Sequence, residues 1–143
     1  MNFSKHISRS AFAWVLLLLW VGLAACSSPG SNQPRVFFTS PSDGATVTSP
    51  VKVTMGAENF TVEPAGAVKA GAGHLHIMVD ADCTVAGQVI PKDATHIHYG
   101  QGQKEAELPL PPGTHTLCLQ AADGAHVALA GEGMTQKITI TVK

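Results

Sequence analysis

His74-Leu75-His76-Ile77-Met78-Val79-Asp80-Ala81-Asp82-Cys83 alternates strictly in character. Leu75, Ile77, Val79 and Ala81 occupy the odd positions, with His74, His76, Met78 and Asp80 between them. A strand sends successive side chains to opposite faces, so this stretch has an apolar face and a face bearing two histidines. The apolar set is expected to meet a core and the histidine set to point outward.

The same period recurs on either side. Downstream, Ala106 and Leu108 alternate with Glu105 and Glu107, Leu117, Leu119 and Ala121 mark Thr114–Ala121, and Ile138, Ile140 and Val142 alternate with Thr139 and Thr141. Upstream, Val51, Val53 and Met55 alternate with Lys52 and Thr54, Phe60 and Val62 extend that region, and Val36-Phe37-Phe38 makes a first strand. Pro41-Ser42-Asp43-Gly44, Pro64-Ala65-Gly66 and Pro109-Leu110-Pro111-Pro112-Gly113 supply turn chemistry between them. About seven short strands in residues 35–143 predict an all-β fold, an antiparallel β-sandwich of immunoglobulin-like type. In such domains a tyrosine at the start of the sixth strand often bonds back to the main chain. His115 occupies that place, which explains it without a metal.

The first 25 residues have another logic. Lys5 and Arg9 precede an uncharged run, Ala11 to Ala25, built around Trp14-Val15-Leu16-Leu17-Leu18-Leu19-Trp20-Val21. A spanning helix needs about 20 apolar residues, so this run is short for an anchor and suits a signal-peptide helix. It ends in Leu23-Ala24-Ala25-Cys26, which resembles the bacterial lipobox. That resemblance implies cleavage before Cys26, a diacylglyceryl group on its sulfur and acylation of the new amino terminus. Ser27, rather than Asp, implies sorting to the outer membrane, facing the periplasm. The chain thus divides into a leader (1–25), a lipidated Cys26 with a polar tether (26–34) and one domain (35–143), held to the membrane by stable multi-chain anchoring.

The charge balance excludes several functions. The chain carries a net charge of −1 with histidine neutral, and loss of Lys5 and Arg9 leaves the remainder more acidic. No basic patch is present for nucleic acid or for an anionic membrane surface. Both Trp residues fall in the leader, leaving Phe37, Phe38, Phe60 and Tyr99, too few for a base- or sugar-stacking platform. There is no Gly-x-Ser-x-Gly and no phosphate-loop or dinucleotide fingerprint, and every Ser after the leader lies between Ser27 and Ser49. An enzyme is not expected.

The histidines carry the chemistry that remains. His74-Leu75-His76 and His96-Ile97-His98 each place two imidazoles on one face of a strand, roughly 6.5–7 Å apart along the backbone. Such a pair can lean onto one metal, and a second pair alongside supplies enough ligands for Zn or Cu. His126, after the turn Asp123-Gly124-Ala125, either completes such a site or is an exposed loop residue. Met78 shares the face of His74 and His76, where a thioether would favour copper and an ordinary packing role would not. The candidate ligands are therefore His74, His76, His96, His98 and His126, for a metal buffer or chaperone. In the rival reading the histidines only hydrogen-bond, within a structural or protein-interaction module. Once Cys26 is lipidated, Cys83 and Cys118 remain as a pair for a disulfide in an oxidising compartment, or for soft metal ligation or redox chemistry. The bridge requires the chain to twist after Asp82.

Gly-Ala-Gly-His-Leu-His-Ile-Met-Val-Asp (71–80), His-Ile-His-Tyr-Gly-Gln-Gly-Gln (96–103) and Leu-Pro-Pro-Gly-Thr-His-Thr-Leu (110–117) together resemble a bacterial family of small exported His-rich domains, domain of unknown function 4399. Ser40 to Val53 fits the same pattern. His74, His76, His96, His98, His115 and His126 fall on the family's histidine positions. Leu75 departs from the usual Gly-His-His-His, a further histidine is replaced within Ala128-Leu129-Ala130, and Cys83 and Cys118 lie outside the pattern. The family brings no established activity with it.

Overall fold

The computed structural model describes Met1 and residues 32–143. The leader, Cys26 with its acylation and most of the tether lie outside the described residues. The strands are β1 (Arg35–Ser40), β2 (Thr46–Val47), β3 (Val51–Glu58), β4 (Thr61–Val62), β5 (Ala72–Val79), β6 (His96–Tyr99), β7 (Glu105–Leu108), β8 (Gly113–Ala122) and β9 (Thr135–Val142).

They form two sheets, the expected all-β sandwich. One is antiparallel with order β1-β3-β7. The other runs β2-β9-β8-β5, with β4 along the start of β5 and β6 along the rest. The alternation in the sequence sets which faces meet. Leu75, Ile77, Leu117, Leu119 and Ile140 are fully withdrawn from water and pack against Val36, Val51, Val53 and Met55 of the smaller sheet. Burying each large aliphatic side chain stabilises the fold by about 1.5–3 kcal/mol, and truncating one to alanine costs about 2–5 kcal/mol. Ser31–Lys143 packs as one compact unit.

Two features depart from the expected pattern. β2 runs parallel to the end of β9, and β4 runs parallel to the start of β5. Each pairing is two residues long, too short to leave a periodic signal. The larger departure concerns the second face of β5. His74 and Met78 are 0% exposed and His76 is 1% exposed, so the face expected to point outward is buried. Its cover is two irregular strips that lie on each other: Gly87 N–H donates to Ala128 O, Ala128 N–H to Gln88 O, and Ile90 N–H to His126 O. Ile90 and Ala128 of the strips form a second small core with Met78, Cys118 and Ala122 of the sheet.

β5 also stops at Val79 instead of continuing to Cys83. Asp80 adopts φ 53, the left-handed region that aspartate tolerates better than most residues, and there the chain leaves the sheet. Its carboxylate accepts Thr116 N–H at 2.9 Å and bonds the His115 ring at 2.7 Å. The turn carries Cys83 over the second face, where it forms a disulfide with Cys118 of β8 across a Cα–Cα distance of 5.7 Å. Next to the bridge, Gln120 accepts Thr84 N–H and donates to Thr84 O, tying the strip to the sheet twice more.

Candidate metal centre

The register between β5 and β6 decides which histidines meet. Leu75 pairs with Tyr99, His76 with His98 and Met78 with His96. His98 therefore stands beside His76, with His74 on the same face two residues along. His74, His76 and His98 present ring nitrogens that all lie within 4.8 Å of one another. His126 closes the group from the covering strip, its Nε2 3.1 Å from His98 Nε2. The His74 and His76 Nε2 atoms are 3.0 Å apart.

Of the five candidate ligands, His96 is the one that the structure does not bring into this group. Opposite Met78, it sits one position past the group, and its Nδ1 bonds Asp93 Oδ1 at 2.8 Å. Asp93 also accepts the N–H groups of Thr95 and His96, so His96 closes the loop that enters β6. His115 stays outside as well: its Nε2 donates to Pro111 O at 2.9 Å, an upstream main-chain contact of the kind the tyrosine corner makes.

Local chemistry explains how His126 reaches the others. Asp123 Oδ1 accepts the N–H groups of Ala125 and Val127, building a tight turn with His126 at φ 69. Gly124 is packed so closely on the carbonyls of Gly66 and Ala67 that a Cβ there would strike both. Sequence reasoning reads Asp123-Gly124 as a turn, but nothing in it shows that the turn is braced from residues 66–67. Gly100 is equally silent in the sequence. In the structure the His98 ring occupies the space its missing side chain leaves.

The electrostatics favour neutral rings. Burial pushes His74 down to about 4, helped by the neighbouring His126 and His98. Burial pushes His76 down to about 3, with His74 and His98 adding to it. His98 is lowered too, first by burial and then by His126 and Lys92. A neutral imidazole keeps a nitrogen lone pair for a metal.

The ring nitrogens that converge are the Nε2 atoms. Nδ1 of His74 and of His76 are buried with no hydrogen-bond partner among the described residues, and an ion held through Nε2 would leave them so. Nearly all buried polar atoms find a partner, and an orphan costs about 1–3 kcal/mol. Tetrahedral ligation at 2.0–2.1 Å spaces ligand nitrogens about 3.3 Å apart, close to the two Nε2 separations here. The donor set and its spacing fit an ion.

A family model described as "Domain of unknown function (DUF4399)" matches residues 53–143. The chain belongs to the DUF4399 family. All four clustered histidines lie within the matched DUF4399 region, which begins inside β3 and leaves β1 and β2 outside. No curated protein matches the chain. Among solved structures, the endo-beta-1,4-mannanase from Thermotoga petrophila is similar at 17% identity and a TM-score of 0.43, covering 78% of this chain and 20% of that one. The chain thus spans about a fifth of that structure, a likeness too loose to bear on the site.

Proposed function

We propose that this DUF4399 domain binds a transition-metal ion through His74, His76 and His98, with His126 as fourth ligand, and serves the cell envelope as a metal buffer or chaperone. The observation that carries this reading is the convergence of the imidazoles around one point, with the Nε2 atoms of His74 and His76 3.0 Å apart and those of His98 and His126 3.1 Å apart. Four protein ligands would also close the coordination shell, whereas catalytic zinc sites keep a position open. That favours holding an ion over performing a reaction. The basic, apolar and small-residue order of residues 1–26 supports export and lipid anchoring at Cys26.

The test is calorimetric titration of the chelator-stripped domain (residues 32–143) with Zn(II), Cu(II) and Cu(I), beside His98→Ala. Stoichiometric, sub-micromolar binding that the substitution weakens supports the proposal. Binding that ignores the substitution sinks it.

A further inference from the structure

We propose that the ion this site is built for is monovalent copper, an inference that rests on the metal-binding reading above. Shape is the first reason. The ring centroids are separated by 4.8 Å (His74–His76), 4.9 Å (His74–His98), 4.7 Å (His74–His126), 5.0 Å (His76–His98), 5.9 Å (His76–His126) and 4.7 Å (His98–His126). Four rings on a square would show two opposite separations about 1.4 times the sides, as tetragonal coordination requires. The longest pair here is His76–His126, and its opposite pair, His74–His98, is as short as the sides. The rings therefore stand at the corners of a slightly stretched tetrahedron. Four imidazoles bound tetrahedrally at 2.0–2.1 Å place their centroids about 5 Å apart. Cu(II) and Ni(II) prefer tetragonal surroundings, while the filled-shell ions Cu(I) and Zn(II) accept a tetrahedron.

Charge separates those two. Every donor in the group is an imidazole, with no thiolate or carboxylate among them. No carboxylate is among the donors: Asp123 Oδ1 holds the N–H groups of Ala125 and Val127, and Asp93 Oδ1 holds Thr95 and His96. Among the described residues, the one negative charge that reaches the group is that of Asp123, felt at His74. An ion in this site gains no compensating charge from its ligands, two of which are 0% and 1% exposed. The penalty for burying charge grows with its square, so a divalent ion bears about four times that of a monovalent one. Zinc sites relieve such charge with thiolate or carboxylate ligands in many proteins. The group here has neither.

The experiment uses the chelator-stripped domain (residues 32–143) without oxygen, with ascorbate as reductant so that Cys83–Cys118 stays oxidised. Competition against a coloured Cu(I) chelator and against a zinc chelator gives the two affinities, and voltammetry gives the potential of bound copper. We expect one Cu(I) per chain, bound about a hundredfold or more tighter than Zn(II), and a copper potential above that of the aqueous couple. Cu(I) binding should weaken about tenfold or more in His98→Ala, and in Gly100→Ala as a second variant with every ligand retained. Zn(II) bound as tightly as Cu(I), or a lowered copper potential, overturns the assignment of Cu(I) and leaves the metal site standing. No ion bound at micromolar concentration overturns both.

Discussion

The imidazole of His98 lies against Cα of Gly100, where a Cβ would collide with the ring at Cε1 and Nε2. The obstacle is the end of one side chain and not backbone, and the Gly100 φ is not in the left-handed region. Gly100→Ala should therefore leave the fold intact and turn His98 away from the other rings. The expected result is a loss of metal affinity of about tenfold or more, or about 1.4 kcal/mol, with the thermal midpoint of the metal-free domain nearly unchanged. Equal losses in both would show that Gly100 serves the fold alone.

Acid should destabilise the metal-free domain through His74 and His76. Their folded values, about 4 and about 3, lie below the ordinary 6.5, so the unfolded chain takes up protons first as pH falls. Stability is fully present above 6.5 and declines toward pH 4 and below, by up to about 1.4 kcal/mol per pH unit for each histidine. Urea unfolding between pH 7.5 and 4.5 measures this slope, and a flat profile contradicts the buried, neutral state of the pair.

His115 acts in the opposite direction. Asp80, and then the bond to Pro111 O, raise it above the ordinary 6.5. Its contribution is fully present below 6.5 and is lost as pH rises through the raised value. Asp80→Asn keeps an acceptor for Thr116 N–H but removes the charge. The gap in stability between wild type and this variant should be wider at pH 5.5 than at pH 8.5.

Reduction of Cys83–Cys118, which spans 35 residues, should lower stability by about 3–4 kcal/mol. The bridge also holds the strip that bonds to His126 O, so metal affinity should drop with it. Denaturation midpoints and metal titrations, each with and without a dithiol, test the two parts separately.

Cys26→Ser should shift the full-length protein from the membrane fraction to the soluble one and abolish labelling with a radioactive fatty acid. Unchanged membrane association would remove the lipid anchor from the account.

Much of the sandwich is legible because Leu75 and Ile77, Leu117 and Leu119, and Ile138 and Ile140 keep period two where one face meets a core. The site is only half legible. Two His-x-His pairs announce a cluster, but alternation gives His96 and His98 equal standing. Only the pairing of Met78 with His96 and His76 with His98 separates them, and register between distant segments is not written in either segment. The burial of His74 and His76 is hidden for a different reason. The rings of His98 and His126 pack on them, and His126 belongs to an irregular strip joined to residues 85–90 by main-chain bonds and the isolated bridge Val89–Val127, so no periodicity marks it as a layer.

The four imidazoles hang on three unequal supports. His74 and His76 stand on a strand paired on both sides, His98 on a four-residue edge strand, and His126 on a tight turn. Local opening of a fold begins at turns and edges and reaches paired central strands last. An ion held here would lose its grip in a fixed order, first His126, then His98, while the two strand histidines still cradled it.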